Sequence, residues 1–172
     1  MITGKVPEPD SVPADKALLE KYGIDSKYII YVGTLEPRKN VVTLIKAFNR
    51  IAETNADIKL VLTGGIGWHS EETLGAIENS PFKDRIIKTG YVSNEEKRML
   101  YRNAEVFVFP SMYEGFGMPV TEAMACGTPC VLANTSSLPE ISNGLAPLVD
   151  VYDDQAFANE ILTTINEGIS EE

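Results

Sequence analysis

Tyr28-Ile29-Ile30-Tyr31-Val32-Gly33-Thr34-Leu35-Glu36-Pro37-Arg38-Lys39-Asn40 changes character twice along its length. Tyr28 to Val32 is apolar on both faces, the pattern of an interior strand in a parallel sheet rather than of a half-solvated one. Gly33 to Asn40 carries a glycine, a proline and adjacent cations, the composition of a loop. Val41, Leu44, Ile45, Phe48 and Ile51 then follow the 3.6-residue period of a helix with one buried face. Strand, loop and amphipathic helix make one βα unit. If the unit repeats, the fold class is fixed.

It does repeat. Ile58 to Leu62, Arg85 to Lys88, Val106 to Phe109, Pro129 to Leu132 and Ala146 to Val149 read as further interior strands, with helical periodicity between them and again at Phe157, Ile161, Leu162 and Ile165. Ser93 with Glu96 three residues on is a capping-box start for another helix. Six strand-and-helix units in alternation predict an α/β fold, an open, doubly wound parallel sheet with right-handed crossovers. Ligands of such sheets sit outside the carboxyl ends of the strands, so the loops after Val32, Leu62, Lys88 and Phe109 are where chemistry is sought. Pro7, Pro9 and Pro13 lie among charges at the start, and residues 1–26 read as a linker arm leading into one domain over 27–172.

The chain of 172 residues is 44% apolar, enough for one sizeable core. Acidic residues outnumber basic ones 25 to 15 and the net charge is -10, so a phosphate backbone is repelled unless the cations gather on one face. They are scattered, which argues against nucleic acid as a partner. No apolar run reaches the roughly 18 to 20 residues of a membrane span, and the N-terminus lacks the apolar core of a signal peptide. A soluble, cytoplasmic chain is expected. Cys126 and Cys130 read as buried free thiols, because a closed zinc site wants four ligands and His69 is the only histidine.

Pro110 to Glu122, the loop after the fourth strand, reads Pro110-Ser111-Met112-Tyr113-Glu114-Gly115-Phe116-Gly117-Met118-Pro119-Val120-Thr121-Glu122. Pro119 suits the first position of a helix, and Gly115 and Gly117 let a ligand approach the main chain, so free N–H groups and a helix dipole can be aimed at an anion. Carboxylates beside such a phosphate cradle need neutral donors, and the vicinal hydroxyls of sugars are such donors. One glutamate for a ribose and one for a hexose would grip both ends of a nucleotide sugar. On spacing alone the plainer reading stays open, with Glu114 a solvated loop residue and Glu122 a favourable first-turn charge. Arg38 and Lys39 stand at a helix N-terminus, where the dipole disfavours cations; a bound diphosphate would compensate, and a solvated basic pair is the alternative. Thr63 to Ser70 holds three glycines but lacks the dinucleotide pattern, so it reads as a tight turn. Thr89-Gly90-Tyr91-Val92-Ser93 either meets a base edge through its main chain or carries only the cap.

Together these segments resemble the C-terminal domain of the GT-B glycosyltransferases of family four, over about Lys27 to Ile165. The Glu-x7-Glu pattern, here Glu114 to Glu122, is the most specific element. Tyr31 to Asn40, Gly90-Tyr91-Val92 and Glu122 to Pro129 support it in the right order. The resemblance implies one Rossmann-like half of a GT-B fold, contact of Glu114 with the donor sugar, of Glu122 with the ribose, and of Lys39 with the diphosphate. Glu114, Lys39 and Arg38 are the expected catalytic groups, and Glu122 joins Gly33, Thr34, Gly90, Tyr91, Gly115, Phe116, Gly117 and Met118 in the expected donor-binding surface. It further implies a retaining hexosyl transfer from a nucleoside diphosphate sugar, GDP-mannose first by similarity to mannosyltransferases of polysaccharide assembly, with the cations replacing a metal and no other cofactor.

Thr34 departs from the family, many of whose members carry an arginine there, so Arg38 and Lys39 should bear more of the diphosphate. Nothing in the sequence corresponds to the N-terminal acceptor domain, the implied partner within a parent chain. The chain is therefore expected to be an excised domain, inactive alone, with any membrane contact of the parent on the inner face made through the other half. Two other readings compete. A non-catalytic doubly wound sensor would not explain the convergence of Glu114, Glu122, Arg38 and Lys39 at strand ends, and a sugar-nucleotide epimerase half would need histidine-rich loops.

Overall fold

The computed structural model describes residues 12–170. Six parallel strands form one sheet in the order β3-β2-β1-β4-β5-β6, with β1 at Tyr28–Val32, β2 at Lys59–Thr63, β3 at Ile86–Gly90, β4 at Val106–Phe109, β5 at Cys130–Ala133 and β6 at Leu148–Val149. The expected doubly wound α/β sheet is therefore observed. Strand order runs outward from β1 in one direction, then returns to β4 and runs outward in the other. Right-handed crossovers consequently place α2 (Val41–Ala52) and α3 (Glu71–Glu78) on one face, and α4 (Asn94–Asn103), α5 (Met118–Ala125) and α6 (Leu138–Ser142) on the other. The last helix, α7 (Asp154–Ser170), packs against α2.

Every residue of β1, β4 and β5 is buried. Ile29 and Ile30 are wholly inaccessible, each contributing on the order of 1.5–3 kcal/mol of apolar burial. An aromatic seam runs across the middle of the sheet: Tyr31 stacks on Phe109 at 6.2 Å, Phe109 on Phe107 at 5.7 Å, and Tyr101 meets Phe107 edge-on at 5.6 Å. Arg85, at the entrance to β3, donates to the carbonyls of Ala52 at 2.8 Å, Asn55 at 2.9 Å and Ala56 at 2.7 Å, and its guanidinium lies over Phe82. It thereby satisfies main-chain acceptors at and just beyond the end of α2.

Three expectations change. β3 and β6 are edge strands, not interior ones; beyond Ile86 the residues of β3 are partly buried except Lys88, which is exposed, and β6 has an exposed Leu148. Pro119 occupies the second helical position, because Gly117 in the left-handed region (φ 58°) is the N-cap and Met118 begins α5. The linker arm is not a linker throughout. Helix α1 (Val12–Lys21) packs on α4, with Leu18 in the core and Asp15 held by Arg102 at 2.5 and 2.8 Å and by Asn103 at 2.9 Å. Pro7 and Pro9 lie outside the described residues. The cap at Ser93 is as expected: its hydroxyl accepts from the Glu96 amide while the Glu96 carboxylate accepts from the Ser93 amide. Cys130 is buried, Cys126 partly so, and both are free thiols; burial pushes the Cys130 thiol up to about 12.

Candidate functional site

The turning point of the strand order lies between β1 and β4, so the loops leaving these two strands flank the crevice at the carboxyl edge. The loop after β1 winds through a 3-10 turn, Pro37–Lys39, to Asn40, which takes the left-handed conformation (φ 57°) that asparagine tolerates. The Asn40 amide donates to the Pro110 carbonyl at 3.0 Å and to the Val151 carbonyl at 2.6 Å, while its oxygen accepts from Thr43. One side chain thus joins the first loop, the fourth loop and the approach to α7. A second tie is made by the Arg38 carbonyl, which accepts from the Met112 amide at 2.8 Å.

Held this way, Lys39 and Glu114 form a buried ion pair. Glu114 Oε1 accepts from Lys39 Nζ and from Ser111 Oγ at 3.0 Å, and Oε2 accepts no hydrogen bond from the described residues. The ammonium also lies 5.3 Å above the Phe109 ring. The dipole penalty on Lys39 is therefore offset by a carboxylate of the protein. Arg38 does not join this pair: its side chain is exposed and donates to Glu36 at 2.5 Å. Glu122 is not a bare first-turn charge either. Lys97 reaches both its oxygens, at 3.2 and 3.1 Å, and Tyr101 donates to Oε2 at 3.1 Å, both from α4.

Between the two glutamates, the amides of Gly115, Phe116 and Gly117 donate to nothing among the described residues, and Phe116 and Met118 side chains are exposed. From the flank, Gly33 donates to Thr63 at 2.9 Å and Gly64 to Gly90 at 3.0 Å, fastening the first three loops into one rim. A Cβ on Gly64 would stand 2.1 Å from the Gly33 carbonyl oxygen, which is why this turn needs glycine. The Thr34 carbonyl accepts from Tyr31. Tyr91 is exposed and its ring lies against Gly65, while Gly90 is left-handed (φ 71°). His69 is exposed beside Trp68. Thr135, Ser136 and Ser137, none of them singled out by the sequence, touch the back of the fourth loop.

The "Glycosyl transferases group 1" family matches residues 15–172. This chain belongs to that family. Within it, the O-antigen chain mannosyltransferase B of Escherichia coli is 37% identical over 92% of this chain and 43% of its own length. The group 1 chain therefore spans well under half of that curated relative. Among solved structures, the sucrose-phosphate synthase of Thermosynechococcus elongatus superposes with a TM-score of 0.76 at 27% identity, over 90% of this chain and 40% of that one. The HepE protein of Anabaena, solved in complex with UDP and glucose, gives 0.79 at 22% identity, over 90% and 43%, and shows the shared fold. The family match begins at Asp15, inside α1, in agreement with a domain that starts before residue 27.

Proposed function

We propose that this group 1 glycosyltransferase chain is the donor-binding half of a retaining hexosyltransferase that takes a nucleoside diphosphate sugar. The observation that carries the reading is the meeting of Lys39 and Glu114 at the turning point of the strand order, beside a run of undonated amides from Gly115 to Gly117. Lys39 keeps ammonium protons beyond the one given to Glu114, and these would take a diphosphate oxygen, with the free amides taking others. In that arrangement charge developing on the leaving diphosphate is stabilised by fixed donors, so the chemistry needs no metal. Glu114 Oε2 is the acceptor left over for a hexose hydroxyl. Glu122, partly exposed and oriented from α4, would accept from a ribose hydroxyl. Arg38 would reach the diphosphate only by leaving Glu36.

Mannose is the first choice of hexose and GDP-mannose the first choice of donor, supported by the mannosyltransferases among the relatives. The acceptor would be a glycan or a lipid-linked sugar bound by a second domain of a parent chain, working in the cytoplasm, and this chain alone should transfer no sugar. Among the described residues no helix is long and apolar enough to cross a membrane. Calorimetric titration with GDP, UDP, ADP and their hexose derivatives tests the reading. One nucleoside diphosphate should bind, and Glu122→Ala should weaken it and its sugar derivative alike, by about 1.5–3 kcal/mol for a hydrogen bond to a charged group. Binding of none by the unaltered chain would overturn the proposal.

A further inference from the structure

Asn134 to Ser137 connects β5 to α6 and lies against the main chain of the fourth loop. Its hydroxyls converge on that loop's main chain. Thr135 Oγ1 donates to the Ser111 carbonyl at 2.6 Å, Ser136 Oγ and Ser137 Oγ to the Glu114 carbonyl at 2.8 and 2.7 Å, and Ser137 Oγ also to the Gly115 carbonyl at 3.0 Å. Ser136 takes up the left-handed region (φ 53°) to do so, a conformation that serine adopts only when its surroundings hold it there.

A trans peptide points the carbonyl of one residue and the amide of the next in opposite directions. Drawing the Glu114 carbonyl toward Ser136 and Ser137 therefore turns the Gly115 amide away from them, and drawing the Gly115 carbonyl toward Ser137 does the same for Phe116. These are two of the amides that donate to nothing among the described residues. Glycine at 115, with open space where a Cβ would stand, gives the loop no stiffness of its own.

We propose that Thr135, Ser136 and Ser137 are positioning residues: a hydroxyl platform that grips the carbonyls behind the fourth loop and so presents the Gly115 and Phe116 amides to the diphosphate of a nucleotide. The inference rests on the donor-binding reading for its ligand, but not for its geometry. None of the three touches the ligand. They act by removing the freedom of the peptide planes that do.

Two measurements test it on the whole chain, using Ser136→Gly with Ser137→Ala, in which glycine accepts the left-handed backbone. Nitrogen relaxation should show the Gly115 and Phe116 amides falling from the rigid range, an order parameter of about 0.85, toward about 0.6 or below. Ser136→Gly with Ser137→Thr, which keeps a hydroxyl, should restore them. The nucleoside diphosphate that the unaltered chain binds best should lose about tenfold or more in affinity in the first variant, the size of one lost charge-assisted hydrogen bond, while its phosphate-free nucleoside keeps its affinity. Unchanged order parameters in the first variant would overturn the platform whatever binds. Equal weakening of nucleoside and nucleoside diphosphate would also overturn it, since the loss would then be one of general folding. Failure of the unaltered chain to bind any nucleotide counts against the donor-binding reading alone, and relaxation then still decides the platform.

Discussion

Lys39 was legible as a cation at a helix start and Glu114 as a carboxylate in a glycine-bearing loop, but nothing in their separation of 75 positions announces that they pair. The pairing changes what substitution should do. Lys39→Ala leaves a carboxylate in a buried place with only Ser111 to satisfy it, and removal of one partner from such a pair costs about 3 kcal/mol or more. Lys39→Met with Glu114→Leu should recover most of that loss, as urea denaturation would report; a loss below about 0.5 kcal/mol for Lys39→Ala would mean that water reaches the carboxylate. Glu114→Gln should act on binding with two signs. Lys39 then no longer answers to a carboxylate, so nucleoside diphosphate affinity should rise by about tenfold or more, the worth of a charge-assisted contact. The extra affinity contributed by the hexose should fall in the same variant. Titration of the nucleoside diphosphate and its sugar side by side checks both, and parallel changes would refute the division of labour.

At the scale of elements, α1 is the piece that composition concealed. Its apolar periodicity is weak, prolines precede it, and its attachment depends on Asp15 meeting Arg102 and Asn103 of α4, a contact made across the fold. Burial alone would raise the Asp15 carboxyl, but the hydrogen bonds from Arg102 and Asn103 and the Arg102 charge outweigh it and hold it below the ordinary aspartate range. A group depressed in the folded state contributes stability above its unfolded value, about 3.9, and that contribution fades as pH falls through the folded value. The urea midpoint should therefore drop on acidification from about pH 5 downward, and Asp15→Asn should remove this part of the drop. An identical acid slope in the variant would show that α1 is held by Leu18 and its neighbours instead. By contrast β1, β4, β5 and the Ser93 cap were legible because each is decided locally, by unbroken apolar runs or by a three-residue spacing. β3 and β6 misled for a related reason: an apolar run marks a strand, and only the order of strands says which ones have a neighbour on each side. The first position of α5 shifted because Gly117, not Pro119, sets the cap. The Thr135–Ser137 platform and the Lys97–Tyr101 grip on Glu122 had no signal to read, since common polar residues acquire those roles only from the chain that lies opposite them.

At the scale of the molecule, the sheet separates its functions by end. The rim at the carboxyl ends carries Lys39, Glu114, Glu122 and the open amides, and it also carries side chains with little to cover them: Trp68, Tyr91 and Phe116 are 82%, 83% and 86% exposed. Trp68 is the only tryptophan of the chain. Its indole already meets water in the native state, so its emission maximum should barely move when concentrated urea unfolds the protein, while circular dichroism records the whole transition. Anything that settles over the rim, a nucleotide or a second domain, should shift that emission to the blue or quench it. A large red shift on unfolding would show that the indole is sheltered in solution. With the exposure seen here, the protein carries its own optical gauge, blind to the melting of its core and responsive to whatever closes over its working end.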